Sequence, residues 1–235
     1  MKRPLISTYI IALLTVSSLF GFPTMTFAQK NDKDKVEELA QQPFFQGAML
    51  GVDVFGILGK AFGNEFSSAE ASIECNLLNR YFPVFEMGYG STDTVSEETD
   101  IHYKTSAPYF RIGAGYNIFS KKPYLPGKLL VGARLGFSSF SYDVEAPAMS
   151  DPVWGETTIP ISFEGVKSNA SWLELVAEVR TNVHKNFHLG FSVRYKSLFS
   201  TKKSENSEPW YIPGYGKNKS SGFGITYNIS YNLPF

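Results

Sequence analysis

Phe223-Gly224-Ile225-Thr226-Tyr227-Asn228-Ile229-Ser230-Tyr231-Asn232-Leu233-Pro234-Phe235, the last thirteen residues, alternates without a break. The odd-numbered positions are all large and apolar or aromatic, and the even-numbered ones are small or polar. Successive side chains of a strand point to opposite faces, so this stretch is a strand with one greasy and one polar side, ending on an aromatic. A terminal strand of this kind, with Tyr231, Leu233 and Phe235 as its closing aromatic and aliphatic signal, is what a transmembrane β-barrel presents to the barrel-assembly machinery.

Working backwards from this strand, alternating runs recur at about 48–56, 68–78, 83–91, 106–119, 128–142, 171–183 and 186–200, with 222–235 as the eighth. None reads as an amphipathic helix, and none past the first segment is apolar for the 18 or more residues that a spanning helix needs. The expected fold is therefore all-β: an eight-stranded antiparallel up-and-down transmembrane barrel, 46–235. Short connections at Leu78–Tyr81, Ser120–Gly127 and His184–Asn186 alternate with longer ones at 57–67, 91–105, 143–170 and 201–221. That asymmetry matches brief periplasmic turns and larger outer loops.

Parity assigns the faces. In the seventh run Leu189, Phe191, Val193 and Tyr195 oppose His188, Ser192, Arg194 and Lys196. In the sixth, Leu173, Leu175, Ala177 and Val179 oppose Glu174, Glu178 and Arg180. Arg111 and Arg134 in the fourth and fifth, and Asp53, Glu70, Glu74 and Glu86 in the first three, fall on the same polar side. A lipocalin-like soluble barrel shows the same alternation turned inside out. Three features favour the membrane orientation. Glycines such as Gly113, Gly132, Gly136 and Gly190 cluster on the charged face, where a narrow lumen is short of room. Aromatics mark the strand ends on the other face (Phe82, Tyr116, Phe119, Phe187, Phe199, Phe235). Finally, an Arg or Lys turned toward mid-depth lipid would cost roughly 2–4 kcal/mol.

The inward set is thus Asp53, Glu70, Glu74, Glu86, Glu174 and Glu178 with Arg111, Arg134, Arg180, Arg194 and Lys196. Eight strands leave an interior that side chains fill, so these residues are expected to form an ion-pair plug rather than line a wide pore. A hairpin centred near Lys185 sets Glu174 and Glu178 within one register step of Lys196 and Arg194. A hairpin centred near Arg80 sets Glu74 nearly opposite Glu86, two like charges that Arg111 or Arg134 should reach across the lumen.

The segment 1–28 reads as a signal peptide: Lys2 and Arg3, an apolar run from Ile10 to Phe22, and a small-residue cleavage site at Thr26-Phe27-Ala28. Residues 29–45 form a polar periplasmic leader. Export with these features implies the outer membrane of a Gram-negative bacterium, in contact with lipid and lipopolysaccharide. No cysteine lies near the cleavage site, so a lipid anchor is not expected. The chain of 235 residues carries 22 basic and 22 acidic side chains with no basic stripe, which speaks against nucleic acid as a partner. The single cysteine, Cys75, excludes an internal disulfide and thiolate metal clusters, and it reads as a small apolar side chain. No cofactor or metal is expected, and the barrel is read as a monomer.

Two long connections share an acid, a proline and a tryptophan: Ser150–Gly155 with Trp154, and Ser207–Gly216 with Trp210, Tyr211 and Tyr215. Rigid turns presenting aromatics either pack on each other as a cap or form a recognition surface. For enzymatic chemistry the best constellation is His102 and Ser106, which share the lipid-facing parity at the outer rim. No third residue is spaced to orient the imidazole, so no catalytic residue is assigned. The expected function is a charge-plugged barrel with a structural or surface-interaction role. A lipid A acyl hydrolase or transferase, or a narrow small-solute channel, is the alternative.

The stretches Asn79–Val84, Ile101–Gly113, Pro209–Asn218 and Phe223–Asn228 resemble a family of uncharacterised outer-membrane barrels known as a domain of unknown function. The resemblance covers nearly all of the chain after residue 28. It implies the barrel fold and the membrane location, and assigns no mechanism. The architecture also resembles the small OmpA/OmpX-type barrels, and the absence of a peptidoglycan-binding domain after Phe235 speaks against wall anchoring.

Overall fold

The computed structural model describes residues 43–234 apart from 57–65, 122–124, 126, 152–154, 203 and 205–206, with the side chains of 148–161 also left aside. The signal peptide, residues 29–42 of the leader, Trp154 and Phe235 lie outside the described residues.

Eight strands close into a ring: β1 (Phe45–Asp53), β2 (Phe66–Leu77), β3 (Tyr81–Val95), β4 (His102–Asn117), β5 (Gly127–Asp151), β6 (Gly155–His184), β7 (Phe187–Thr201) and β10 (Ser221–Asn232). Each pairs antiparallel with its neighbours in sequence, and β1 pairs with β10 to close the barrel. The alternating terminal segment supplies both the β7 and β1 ladders, Tyr227 opposite Phe191 and Ile229 opposite Val52. A separate two-stranded hairpin, β8 (Tyr211–Ile212) and β9 (Gly216–Lys217), sits within the last outer connection.

The oily half of each strand faces outward. Leu50, Ile73, Phe85, Phe110, Leu135, Leu175, Val193 and Ile225 are all exposed, while every ionisable side chain on the inward parity of the spanning strands is buried or nearly so. A water-soluble barrel would reverse this. Tyr81 and Tyr116 (ring centroids 5.7 Å apart) and Phe187 and Tyr231 (5.0 Å) mark one edge of the apolar band, and Tyr195 and Phe223 (5.2 Å) mark the other. From Phe187 to Tyr195 is eight residue steps, and at the usual strand tilt these span about 20 Å, most of the roughly 25 Å apolar band of such barrels.

Above the Tyr195 level the outward residues turn polar. Asp93, Lys104 and Asp143 stand side by side across β3, β4 and β5, and the chain remains paired strand. Much of the expected outer loops at 91–105 and 143–170 is therefore strand: β3 and β4 continue to a turn at residues 96–101, and β5 and β6 rise together as a long hairpin. Lipid-facing alternation ends where lipid ends, but backbone pairing does not, so periodicity understated these strands.

Two further expectations are corrected by the structure. Phe82 is not part of the outer girdle: it is 0% exposed, on the inward parity with Val84 and Glu86, under the ammonium of Lys128 at 4.9 Å. Leu78 and Asn79, both with positive φ, form the tight turn of the β2–β3 hairpin, which is centred on Asn79 rather than Arg80. Moving the centre by one residue moves each cross-strand partner by two, so Glu86 faces Ser72 and Glu74 faces Val84.

Candidate functional site

Inside the barrel the parity rule converges charges from six strands onto one axis. Arg194 of β7 grips Glu86 of β3 with both guanidinium amines, at 2.8 and 3.3 Å, and reaches Glu174 at 3.3 Å and Glu70 at 3.5 Å. Arg111, opposite Glu86 in the β3–β4 ladder, contacts Glu86 at 3.1 Å and Glu174 at 2.9 Å and forms a close pair with Glu70. Arg134 adds a third guanidinium to Glu86 at 3.3 Å. Glu174 also accepts the indole N–H of Trp172 at 2.7 Å, and Glu70 accepts the Tyr109 hydroxyl at 2.8 Å.

Nearer the short turns a second cluster forms. Arg180 is closely paired with Glu74, holds Glu178 at 2.8 Å, and stands opposite Lys128 in the β5–β6 ladder. The sharing follows from cost. A buried ion is tolerated only with partners that replace its water, and here each acid meets at least one base or a fan of amide donors. Asp53 takes the second route, accepting the backbone N–H groups of Phe55, Gly56 and Tyr227 at 3.0–3.3 Å.

Glu174 lies directly opposite Lys196, with Val176 opposite Arg194, as a hairpin centred on Lys185 requires. Glu74 and Glu86 take separate partners, Arg180 for the first and Arg111, Arg134 and Arg194 for the second.

The outer end of the lumen is closed by the hairpin of β8 and β9. The Gly214 carbonyl accepts from Arg111 at 2.8 Å and from Lys196 at 2.9 Å, and Lys196 also donates to the Tyr215 carbonyl at 3.1 Å. Ile212, Pro209 and Pro213 are fully buried, and Tyr211 and Tyr215 pack into a core with Tyr103, Tyr109, Phe140, Tyr142 and Trp172. Gly214 takes φ +81°, and a Cβ there would lie 2.4 Å from the Tyr109 ring, so the turn admits only glycine without displacement. Tyr211 and Tyr215, read from the sequence as recognition candidates, are thus inside a cap, whereas Trp210 is 38% exposed. The space left is a cavity of about 220 Å³ beneath the hairpin beside Asp53, Glu70, Arg194 and Lys196. Deeper, among Met49, Glu74, Glu178 and Arg180, only about 20 Å³ remains.

Sequence reasoning passed over Lys128, Trp172 and Tyr103 as lumen residues, while Tyr109 falls on the inward parity with Arg111 and is buried there. Lys128 heads its strand and carries no partner in sequence. The inward parity of Trp172 beside Glu174 was the signal available for the indole. At the outer rim His102 has the orienting partner that the sequence did not reveal: Asp93 at 2.7 Å from Nε2, with Glu145 at 3.6 Å from Nδ1. The Asp93 hydrogen bond raises the imidazole pKa above its ordinary value. Ser106 lies four residues along the same strand, about 13 Å at strand rise and far outside hydrogen-bond reach.

The family model for Domain of unknown function (DUF6048) matches residues 6–235. The chain belongs to this family. No curated protein matches it. Among solved structures, the DUF6048 chain is similar to a major outer membrane protein from Thermus thermophilus, at 10% identity and a TM-score of 0.50, covering 79% of this chain and 98% of the other. It is also similar to Ail, the attachment invasion locus protein of Yersinia pestis (10% identity, TM-score 0.41, 79% and 97% covered), and to Neisserial surface protein A (14%, 0.38, 80% and 96%). The DUF6048 chain has the eight-stranded fold of small outer-membrane barrels.

Proposed function

We propose that this chain is a small outer-membrane barrel that conducts nothing and works through its outer mouth, in a structural or surface-interaction role. The observation that carries the reading is the lumen. Two tiers of buried ion pairs, centred on Glu86 and Arg180, cross it, and the hairpin bearing Gly214 is hydrogen-bonded onto the outer tier. Export through a cleaved signal at 1–28, assembly guided by Tyr231, Leu233 and Phe235, and a monomer in contact with lipopolysaccharide belong to the same reading. Hydrolase chemistry at His102 lacks support, because the oriented imidazole has Ser106 beyond its reach.

Planar-bilayer recording on the refolded protein tests it. The expected result is no stable conductance above baseline. Reproducible open-channel steps from the wild type would replace the plug reading with that of a small-solute channel.

A further inference from the structure

Beside the lumen, the β3–β4 turn and the β8–β9 hairpin enclose an open cleft of about 260 Å³. Tyr103 forms its back wall, fully buried and tied by its hydroxyl to the Tyr211 carbonyl at 3.0 Å. Trp210 lies nearly parallel to it, ring centroids 5.5 Å apart and planes at 13°. A second stack, Phe66 on Tyr211 at 4.7 Å and 6°, lines the cleft as well, with the Lys217 ammonium 5.6 Å from the Phe66 ring. Glu97 and Ser96 complete its polar lip.

Trp210 is the one aromatic of the hairpin left exposed, while Tyr211 and Tyr215 are buried. An indole held rigid by stacking and still open on the outer side is a pre-formed contact surface with little ordering cost on binding. The lip offers a carboxylate acceptor and an ammonium donor. A wholly apolar occupant would strip water from Glu97 and Lys217 and return nothing, and a polyanion would meet the Glu97 carboxylate. A pyranose ring satisfies both requirements: its C–H face is apolar, and each peripheral hydroxyl both donates and accepts.

We propose that this cleft is a saccharide subsite, in which one sugar ring stacks against Trp210 and gives its hydroxyls to Glu97 and Lys217. The volume is below the roughly 300–1,000 Å³ of drug-sized pockets and suits a short piece of glycan. The inference rests on the outer mouth being the working surface. The sugar could come from lipopolysaccharide of the same membrane or from a polysaccharide outside the cell, which share this chemistry.

The test is tryptophan emission of the refolded barrel, held in an amine-oxide detergent without sugar headgroups and titrated with maltose, with cellobiose, and with oligosaccharide released by mild acid from the host's own lipopolysaccharide. A saturable emission change is expected for at least one probe. Because Trp210 is itself the reporter, the variants are read by isothermal titration calorimetry with the same probes: binding should be lost in Trp210→Ala, weakened about tenfold in Glu97→Gln, and largely kept in Trp210→Phe. Heat-modifiable gel migration verifies that each variant is folded. A response to the released oligosaccharide alone assigns the source to the barrel's own membrane, and a response to the disaccharides assigns it to outside glycans. No saturable emission change with any probe, or calorimetric binding that Trp210→Ala leaves unchanged, overturns the proposal. Bilayer silence would persist in either case, so the plugged-barrel reading is tested separately.

Discussion

Arg111 is the residue on which most of the lumen converges: three carboxylates and the Gly214 carbonyl all take hydrogen bonds or ion pairs from it. Arg111→Met would leave Glu70, Glu86 and Glu174 sharing Arg194, Arg134 and Lys196. Removing one partner of a buried pair costs about 3–5 kcal/mol, because the remaining charge stays desolvated. A lower urea midpoint of the heat-modifiable band is expected, and Arg111→Met combined with Glu70→Gln should recover part of the loss. His102 offers a pH-dependent counterpart at the surface. Asp93 stabilises the imidazolium, so the folded-state pKa lies above the ordinary 6.5. The resulting stabilisation is fully present below about 6.5 and fades as pH rises through the folded-state value. The group is well exposed, so the effect is small and salt-sensitive. Proton NMR titration should give a raised His102 pKa that Asp93→Asn returns toward 6.5.

At the scale of elements, the hairpin of β8 and β9 is held by two cations and one glycine. Gly214→Ala places a methyl group 2.4 Å from the Tyr109 ring on a backbone of φ +81°, so the turn must lift or twist. The barrel strands do not depend on it. Limited proteolysis should therefore cut faster between residues 202 and 220 in this variant while the unboiled band keeps its mobility. Much of the candidate site was legible from element-scale alternation. The parity of Glu174, Arg180 and Arg194 placed them inside because a strand has only two faces and charges cannot face acyl chains. The hairpin's descent into the lumen was not legible. Pro209-Trp210-Tyr211 has the composition of a turn whether it faces solvent or folds inward, and what decides between these is the vacant mouth above Arg111 and Lys196. Lys128 was missed for a related reason: a lone cation at a strand end reads as solvated until Phe82 and Glu74 are brought beneath the same short turns.

The whole molecule has three obstructions in series: the hairpin, the Glu86 tier and the Arg180 tier. Deleting the hairpin, residues 204–218, removes only the outermost: the Glu86 tier still crosses the lumen, and below it the cavity among Glu74, Glu178 and Arg180 is too small to pass hydrated ions. Such a deletion should remain silent in planar bilayers. Conductance is expected only when Arg180→Ala with Glu74→Ala clears the inner tier and Arg194→Ala with Glu86→Ala opens the outer one as well. Stable channels from the deletion alone would show that both tiers open in the membrane.

What the amino-acid order determined by itself is the strand count, the antiparallel barrel and the face of the charged core residues, because period-two alternation against a lipid solvent leaves one stable solution; Phe82, at a strand end, took its face only in the folded barrel. Pair identity in the lumen was left to tertiary structure. Glu86 meets Arg194, and Arg180 meets Glu74, across the barrel rather than along a hairpin. Those contacts depend on ring closure and strand stagger, which no single segment encodes.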